Sequence, residues 1–259
     1  MTPQNMPNGM KLSVIILITI LFNTLLISCV KSQTPQKTDQ IISVGKFTSQ
    51  QWKEEAKTDI GLLPKYGNLP KSEAQKDADN KLINNLVQQE GSRSKASAAL
   101  IKLGFNYIYQ GEIKTAMYRF NQAWLLDSTN VDIYWGFGAI YHYLGDEKSA
   151  TEQYDKGLSI NPKNSKIITD KATLYLMGYY EKNDIYKLNN AIVLLEESYV
   201  LNSKNQNTLF KLSICYFLQN DCKKAKKYYI ECMNLGGKPI TIEYTNALNE
   251  KCKDDIKID

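Results

Sequence analysis

The chain has 259 residues, of which 43% are hydrophobic and 23% are charged. That hydrophobic share excludes a wholly disordered chain and allows one or two folded domains. The formal net charge of +5 is too small to argue for nucleic-acid binding.

Residues 1–28 have the features of a secretory signal segment. Lys11 precedes an uncharged apolar run over residues 12–27, which matches the basic and apolar regions of signal peptides. The run is nearly long enough to span a bilayer. Met10 directly before Lys11 is a more typical start for such a segment than Met1, so both remain open as the natural start.

The end of the apolar run resembles the lipobox of bacterial lipoproteins. Leu26, Ile27 and Ser28 precede Cys29, so an aliphatic residue stands at −3, a small residue at −1 and cysteine at +1. The resemblance implies cleavage before Cys29 and a lipid anchor, with fatty acids such as palmitate, on that residue. Val30, where lipoproteins of the inner membrane commonly have aspartate, implies the outer membrane, on its periplasmic or surface face. An uncleaved membrane anchor and an ordinary signal peptide are the alternatives.

Residues 29–70 are predicted to be the lipidated cysteine followed by a polar tether. They are rich in Lys, Gln, Thr and Ser, and they contain Pro35, Pro64 and Pro70 without a sustained helical period. A short helix near residues 50–57 is compatible with the pattern.

Residues 71–96 predict a helix that covers one end of a following array. Ser72 and Gln75 have the spacing of a capping box. The apolar residues that follow lie on one helical stripe: Ala74, Ala78, Leu82, Ile83, Leu86 and Val87.

A period of 34 residues starts at residue 97. Tyr107 and Ala116 recur as Tyr141 and Ala150, and the aromatic residue four positions after each alanine recurs too. This spacing resembles the tetratricopeptide repeat, whose signature is W-x2-L-G-x2-Y, then A-x3-F, then P. The resemblance implies an all-α solenoid of antiparallel helix pairs, in which the tyrosines and small residues are structural.

The pattern defines four units over residues 97–239, followed by a C-terminal capping helix and tail over residues 240–259. The third unit needs seven extra residues near 181–187 to keep the phase. The unit boundaries are 97–130, 131–164, 165–205 and 206–239.

Catalytic and metal-binding patterns are absent from the sequence. His142 is the one histidine, and no C-x-x-C, G-x-S-x-G, H-E-x-x-H or phosphate-binding glycine loop is present. We therefore predict no enzyme activity, no metal, no cofactor and no small-molecule substrate. An envelope enzyme built on His142 is an alternative without support.

The last unit and the C-terminal helix contain four cysteines, Cys215, Cys222, Cys232 and Cys252. An exported protein can form disulfides, and tetratricopeptide geometry would place Cys222 and Cys252 on the same edge. We predict a disulfide between these two residues. The alternative is that all four are packing residues or free thiols.

The resemblance also implies a concave groove, lined in this family by the first helix of each unit. We expect a protein or peptide partner to bind there, since clustered aromatic side chains suit such ligands. Phe105 and Phe217 have the alternative of packing against neighbouring helices. The implied groove residues are Lys102, Phe105, Tyr109, Trp135, His142, Tyr143, Asp170, Thr173, Met177, Phe210, Lys211 and Phe217.

The whole pattern looks like the outer-membrane lipoproteins that serve as scaffolds or adaptors in the bacterial envelope. The leading hypothesis is a membrane-anchored scaffold that mediates protein–protein interactions through this groove. The alternative is a structural subunit of a larger envelope assembly or secretion machine, one that uses the convex face and the insertion of unit three.

Overall fold

The computed structural model describes residues 47–253, and within them it contains α-helices and no strand. Residues 47–239 belong to one compact unit, and residues 240–253 belong to a second one. The helices are α1 (Ser49–Glu55), α2 (Glu73–Glu90), α3 (Arg93–Tyr109), α4 (Ile113–Leu126), α5 (Asp132–Tyr143), α6 (Glu147–Ile160), α7 (Ser165–Lys182), α8 (Ile185–Leu201), α9 (Gln206–Leu218), α10 (Cys222–Asn234) and α11 (Ile242–Lys251).

Helices α3 to α10 form four consecutive pairs, one pair for each predicted unit. Within each pair, a tight turn reverses the chain at a residue with positive φ. Glycine and asparagine adopt this left-handed conformation at lower cost than other residues. The predicted all-α array of helix pairs is confirmed. The turn residues are Gly111 (79°), Gly145 (73°), Asn183 (54°) and Asn220 (64°).

Aromatic rings of the second helices lie directly against glycines of the first helices. A Cβ atom on Gly138 would lie 2.2 Å from the Tyr154 ring, and one on Gly136 would lie 2.3 Å from the Phe120 ring. Both rings are fully buried. Because no methyl group fits at those distances, glycine sets how closely the helices approach. The structural role that the resemblance implied for the small residues is confirmed at Gly138.

The extra residues of unit three lengthen both of its helices. Helix α7 has 18 residues and α8 has 17, against 12 and 14 for α5 and α6. Only Asn183 and Asp184 separate α7 from α8. The insertion therefore extends the pair as helix instead of adding a long loop.

A buried cluster of hydroxyl groups joins units three and four. Thr169 Oγ1 lies 2.8 Å from Ser198 Oγ and 2.7 Å from Thr208 Oγ1, and Ser198 Oγ donates to the Ser165 carbonyl at 2.9 Å. The three hydroxyl-bearing residues are fully buried. Since each hydroxyl has partners, the cluster fixes the register of α7, α8 and α9 without an unsatisfied polar group.

Helix α2 starts at the predicted capping box, in which the Gln75 N–H donates to Ser72 Oγ and the Ser72 N–H donates to Gln75 Oε1. Gly91, with φ of 81°, ends the helix, and α3 begins at Arg93. The predicted single helix over residues 71–96 was therefore wrong at its end. Only the C-terminal part of the predicted stripe packs against the core: Ile83, Leu86 and Val87.

Residues 47–69 fold onto the helix pairs, so the prediction that the tether extends to residue 70 was wrong. This segment, the strap, contains α1 and two short 3-10 turns, Ile60–Leu62 and Pro64–Asn68. Trp52 and Leu62 are buried within the main core cluster. Two large apolar residues provide enough burial to hold a segment that otherwise has tether-like composition. The short helix expected near residues 50–57 is confirmed as α1.

The side chain of Asn121, on α4, binds backbone groups of the strap. Its Nδ2 donates to the carbonyl oxygens of Gly61 and Leu63 at 2.7 and 3.0 Å, and its Oδ1 accepts from the Lys65 N–H at 2.7 Å. Asn121 is fully buried. One amide therefore satisfies three backbone groups that burial would otherwise leave unpaired.

The strap also reaches the start of α6, in unit two. Lys53 Nζ lies 2.9 Å from Asp146 Oδ2, and the Ser49 hydroxyl donates to the same oxygen at 3.2 Å. Burial of Asp146 opposes its ionisation, but the hydrogen bonds from Lys53 and from the Ser149 N–H hold its pKa below the usual value. The strap thus contacts both of the first two units.

Helix α11 lies within the predicted C-terminal segment. Tyr244, Leu248 and Cys252 share one side of it at four-residue spacing, and all three are buried. Its role as a cap stays a prediction.

Replacing Asn121 with alanine should release the strap. We expect the free energy of unfolding to fall by about 2–3 kcal/mol, because buried backbone groups lose their partners, and trypsin cleavage after Lys53 and Lys65 to become faster. Asn106→Ala, at an exposed position of α3, is the control and should change stability by less than about 0.5 kcal/mol. Trypsin cleavage at the same rate in the Asn121 variant as in the unchanged protein would show that Asn121 does not hold the strap.

Candidate functional site

The centre of the predicted groove is a close contact between two aromatic rings from neighbouring units, tilted by 39° to one another. The Phe105 and Trp135 ring centroids lie 3.9 Å apart, and Phe105 also packs edge-on against Phe120 at 5.3 Å. Phe105 and Trp135 are both half-buried. Phe105 therefore has both of the roles considered for it, since it packs against a neighbouring helix and still contributes surface.

Trp135 is fixed by a hydrogen bond to unit three. Its Nε1–H donates to Asp170 Oδ2 at 2.6 Å. A carboxylate acceptor gives a shorter and stronger hydrogen bond than a neutral one. The indole is therefore held in one orientation, with α5 linked to α7.

A basic side chain lies over the same indole. Lys166 Nζ is 5.1 Å from the Trp135 ring and 2.6 Å from Asp132 Oδ2, and Asn164 Nδ2 donates to the other oxygen of Asp132 at 3.0 Å. The ion pair is partly exposed, so it contributes little stability. Its main effect is to place charge of both signs beside the aromatic surface.

Tyr109 and Tyr143 extend the aromatic surface toward the turn of unit one. Tyr109 is 56% exposed, and partial burial together with the nearby Asp170 carboxylate raises the pKa of its phenol. The Tyr143 hydroxyl lies 3.6 Å from the position that a Cβ on Gly111 would take. His142 is half-buried beside Tyr143, and Lys102 is exposed on α3.

The predicted groove ends before unit four. Phe210 is 5% exposed, so the expectation that its ring faces a ligand was wrong. Helix α9 is buried almost all round from Thr208 to Tyr216, and of its predicted concave positions Phe210 therefore lies in the core. Lys211 and Phe217, the other two predicted groove residues of α9, keep partial exposure. The open aromatic surface belongs to units one and two, and unit three contributes Asp170 at its edge.

Comparison with known proteins gives the fold. No protein-family model matches the chain. The structure of PilF from Pseudomonas aeruginosa matches with a TM-score of 0.50 and 19% identity, over 62% of this chain and 71% of that chain. TTC0263, a TPR protein of Thermus thermophilus, matches with a TM-score of 0.50 and 18% identity, over 60% of this chain and 80% of that chain. The fold is a tetratricopeptide-repeat solenoid.

A sequence relative covers a smaller region. General transcription factor 3C polypeptide 3 of Homo sapiens is 28% identical over 107 residues, which are 41% of this chain and 11% of the human protein. The chain therefore spans about a tenth of the length of the curated relative that it matches.

Two contacts of the tetratricopeptide groove were missed by sequence reasoning, although the repeat phase contains their signal. Asp132 and Lys166 hold the same position in successive units, so opposite charges there predict the ion pair that forms. Trp135 and Asp170 are 35 residues apart, which is one period plus one residue. Contacts between equivalent positions of adjacent units follow from the period once the fold is known.

Other expectations concerned metal binding, the membrane and lipidation. Within residues 47–253, no three His, Cys, Asp or Glu side chains are grouped to hold a metal ion. The same residues contain no helix with the length and hydropathy that crossing a membrane requires. The signal segment and the lipidation residue Cys29 lie outside the described residues.

The cysteines of unit four and of the C-terminal segment fall into two classes. Cys215 and Cys232 are buried free thiols, and burial raises the pKa of Cys215 to about 12 and of Cys232 to about 11. Cys222 starts α10, and Cys252 directly follows α11. The disulfide between Cys222 and Cys252 stays a prediction.

Alkylation of the native protein should leave Cys215 and Cys232 unmodified, because the thiolate is the reactive form and burial suppresses it. After unfolding without a reductant, we expect these two residues to react while Cys222 and Cys252 do not. Reduction before unfolding is the control and should expose all four. Peptide mass spectrometry that finds four reactive thiols without reduction would exclude the disulfide.

Proposed function

We propose that this protein is a lipid-anchored tetratricopeptide scaffold that binds a protein or peptide partner in the groove of units one to three and catalyses no reaction. The observation that carries the proposal is the aromatic surface of Phe105, Tyr109, Trp135 and Tyr143, fixed by the hydrogen bond between Trp135 and Asp170.

Rigidity is what makes this surface suitable for binding. A side chain that is already ordered loses little conformational entropy when a ligand arrives, so more of the contact energy appears as affinity. Aromatic anchors surrounded by polar groups are the usual centres of protein interfaces. The charges of Lys102, Lys166 and Asp170 would then select the register of an extended peptide or helix.

The proposed anchor places the groove near a membrane. Lipid on Cys29 would connect to the folded unit through residues 30–46, because the strap begins at residue 47. That segment spans at most roughly 60 Å of extended chain. We propose the outer membrane as the site, on its periplasmic or surface face.

A second candidate function is a structural subunit of a larger envelope assembly. The observation that favours it is the exposed apolar face of α8, where Tyr186, Val193 and Val200 are 78%, 63% and 83% exposed. This face belongs to the second helix of its unit and is separate from the groove residues. The two functions therefore predict different effects of matched substitutions.

Cys29→Ser should abolish lipid attachment and move the protein from the membrane fraction to the soluble or precursor fraction. Radiolabelled palmitate and intact mass of the mature protein measure the lipid directly. Ser32→Ala is the control and should retain the label. An unmodified Cys29 in the unchanged protein would overturn the anchor, while groove binding could still hold.

A photoreactive residue in place of Lys102 should capture one dominant partner in cells. Adding Tyr109→Ala should lower capture about tenfold, since loss of an interface anchor costs roughly 1–2 kcal/mol. Tyr186→Ala is the matched control, because it removes an exposed tyrosine from α8, and capture should be unchanged. The opposite pattern, with capture lost only in the Tyr186 variant, would favour the structural-subunit function.

A further inference from the structure

One side of helix α8 is exposed along its whole length and carries apolar residues at a seven-residue spacing. Tyr186, Val193 and Val200 are all exposed, and Val200 at 83% is the most exposed of the three. Seven residues are almost two helical turns, so the three side chains form one line of about 21 Å. An isolated exposed valine needs no explanation, but a line of three apolar side chains on one helix is a candidate interaction surface.

The second helices of the other units lack such a line. In unit one, the position equivalent to Val193 is Tyr118, whose hydroxyl donates to Asp59 of the strap at 2.6 Å. The strap thus packs on this side of α4. In units two and four, the positions equivalent to Val193 and Val200 are polar and exposed: Glu152 and Ser159, and Lys227 and Asn234.

The polar residues around the line are arranged symmetrically about Val193. Asn190 and Glu196 lie three residues to either side of it, and Asn189 and Glu197 lie four residues to either side; all four are exposed. When a second copy of the helix is placed antiparallel with its Val193 opposite the first, each amide therefore faces a carboxylate, and Tyr186 faces Val200. A surface with this property is complementary to its own copy across a two-fold axis.

We propose that this face of α8 binds the same face of a second copy of the chain, with the two helices antiparallel and Val193 on the two-fold axis. Tyr186 of each copy then packs on Val200 of the other. The side-chain amides of Asn189 and Asn190 donate to the carboxylates of Glu197 and Glu196. Glu196 Oε1 already accepts from the Tyr216 hydroxyl of α9, so its other oxygen, Oε2, is the acceptor for the second copy. Gln219 Nε2 already donates to Asn189 Oδ1 at 2.7 Å, which orients the Asn189 amino group for such an acceptor.

The size of the face sets the strength of the association. Three apolar side chains bury only about half of the ~800 Å² per partner that is typical of a stable interface. The dimer is therefore weak and forms where copies are concentrated. It goes beyond the proposed function and does not rest on it, since the groove residues lie on first helices and stay available.

Cysteine crosslinking of the full chain in cells tests both the dimer and its direction. Val193→Cys should give a disulfide-linked dimer after mild oxidation, because residues on the axis face each other within disulfide reach. Val200→Cys alone should give none, whereas co-expressed Val200→Cys and Tyr186→Cys copies, carrying different tags, should crosslink to each other. These exposed positions tolerate cysteine, so folding is not at issue.

The unchanged chain, with its own five cysteines, and Lys148→Cys on α6 are the controls and should give no such dimer. Absence of a dimer in Val193→Cys would overturn the proposal. A dimer in Val200→Cys alone would overturn the antiparallel arrangement. Crosslinking of Val193→Cys to a different protein would show that the face has another occupant and would also overturn it.

Discussion

The close approach of aromatic rings to glycine backbones is the constraint on which the rest of the structure depends. Phe120 fits between Gly104 and Gly136, and Tyr154 fits against Gly138, at distances that no Cβ atom would allow. A helix pair cannot bury its apolar side alone, so each ring bridges to the next helix or the next unit. The position of every groove residue follows from this spacing.

The repeat pattern was predictable because it is periodic and its contacts join equivalent positions. Tyr141, Ala150 and Gly157 could be assigned to packing without knowledge of any neighbour, and all three are buried. The extent of the groove was less predictable. The repeat numbering assigns Phe210 to a concave position. Its burial, however, depends on all the elements that surround α9, and the sequence of a single repeat unit does not contain that information.

The strap was not predictable for a different physical reason. Its main partner, Asn121, bonds to backbone groups of residues 61–65, and backbone groups have no sequence signature. Residues 65–68 also adopt positive φ, which is unusual for lysine and tyrosine. Trp52 was the available signal, since a tryptophan within a polar segment favours burial over solvent exposure.

Each junction between units has its own stabilising contact, and these contacts together determine which part of the groove is rigid. The strap bridges the first junction, since its residues contact Asn121 of unit one and Asp146 of unit two. Trp135 and Asp170 hold the second junction from inside the groove, and the hydroxyl cluster at Thr169 holds the third. In a solenoid, where each unit contacts only its neighbours, the angle at each junction sets the curvature. The aromatic surface lies across the first junction, and the hydrogen bond from Trp135 to Asp170 ties it to unit three. A ligand that fits this surface therefore meets a preformed shape, and its affinity depends on complementarity more than on reordering of the repeats.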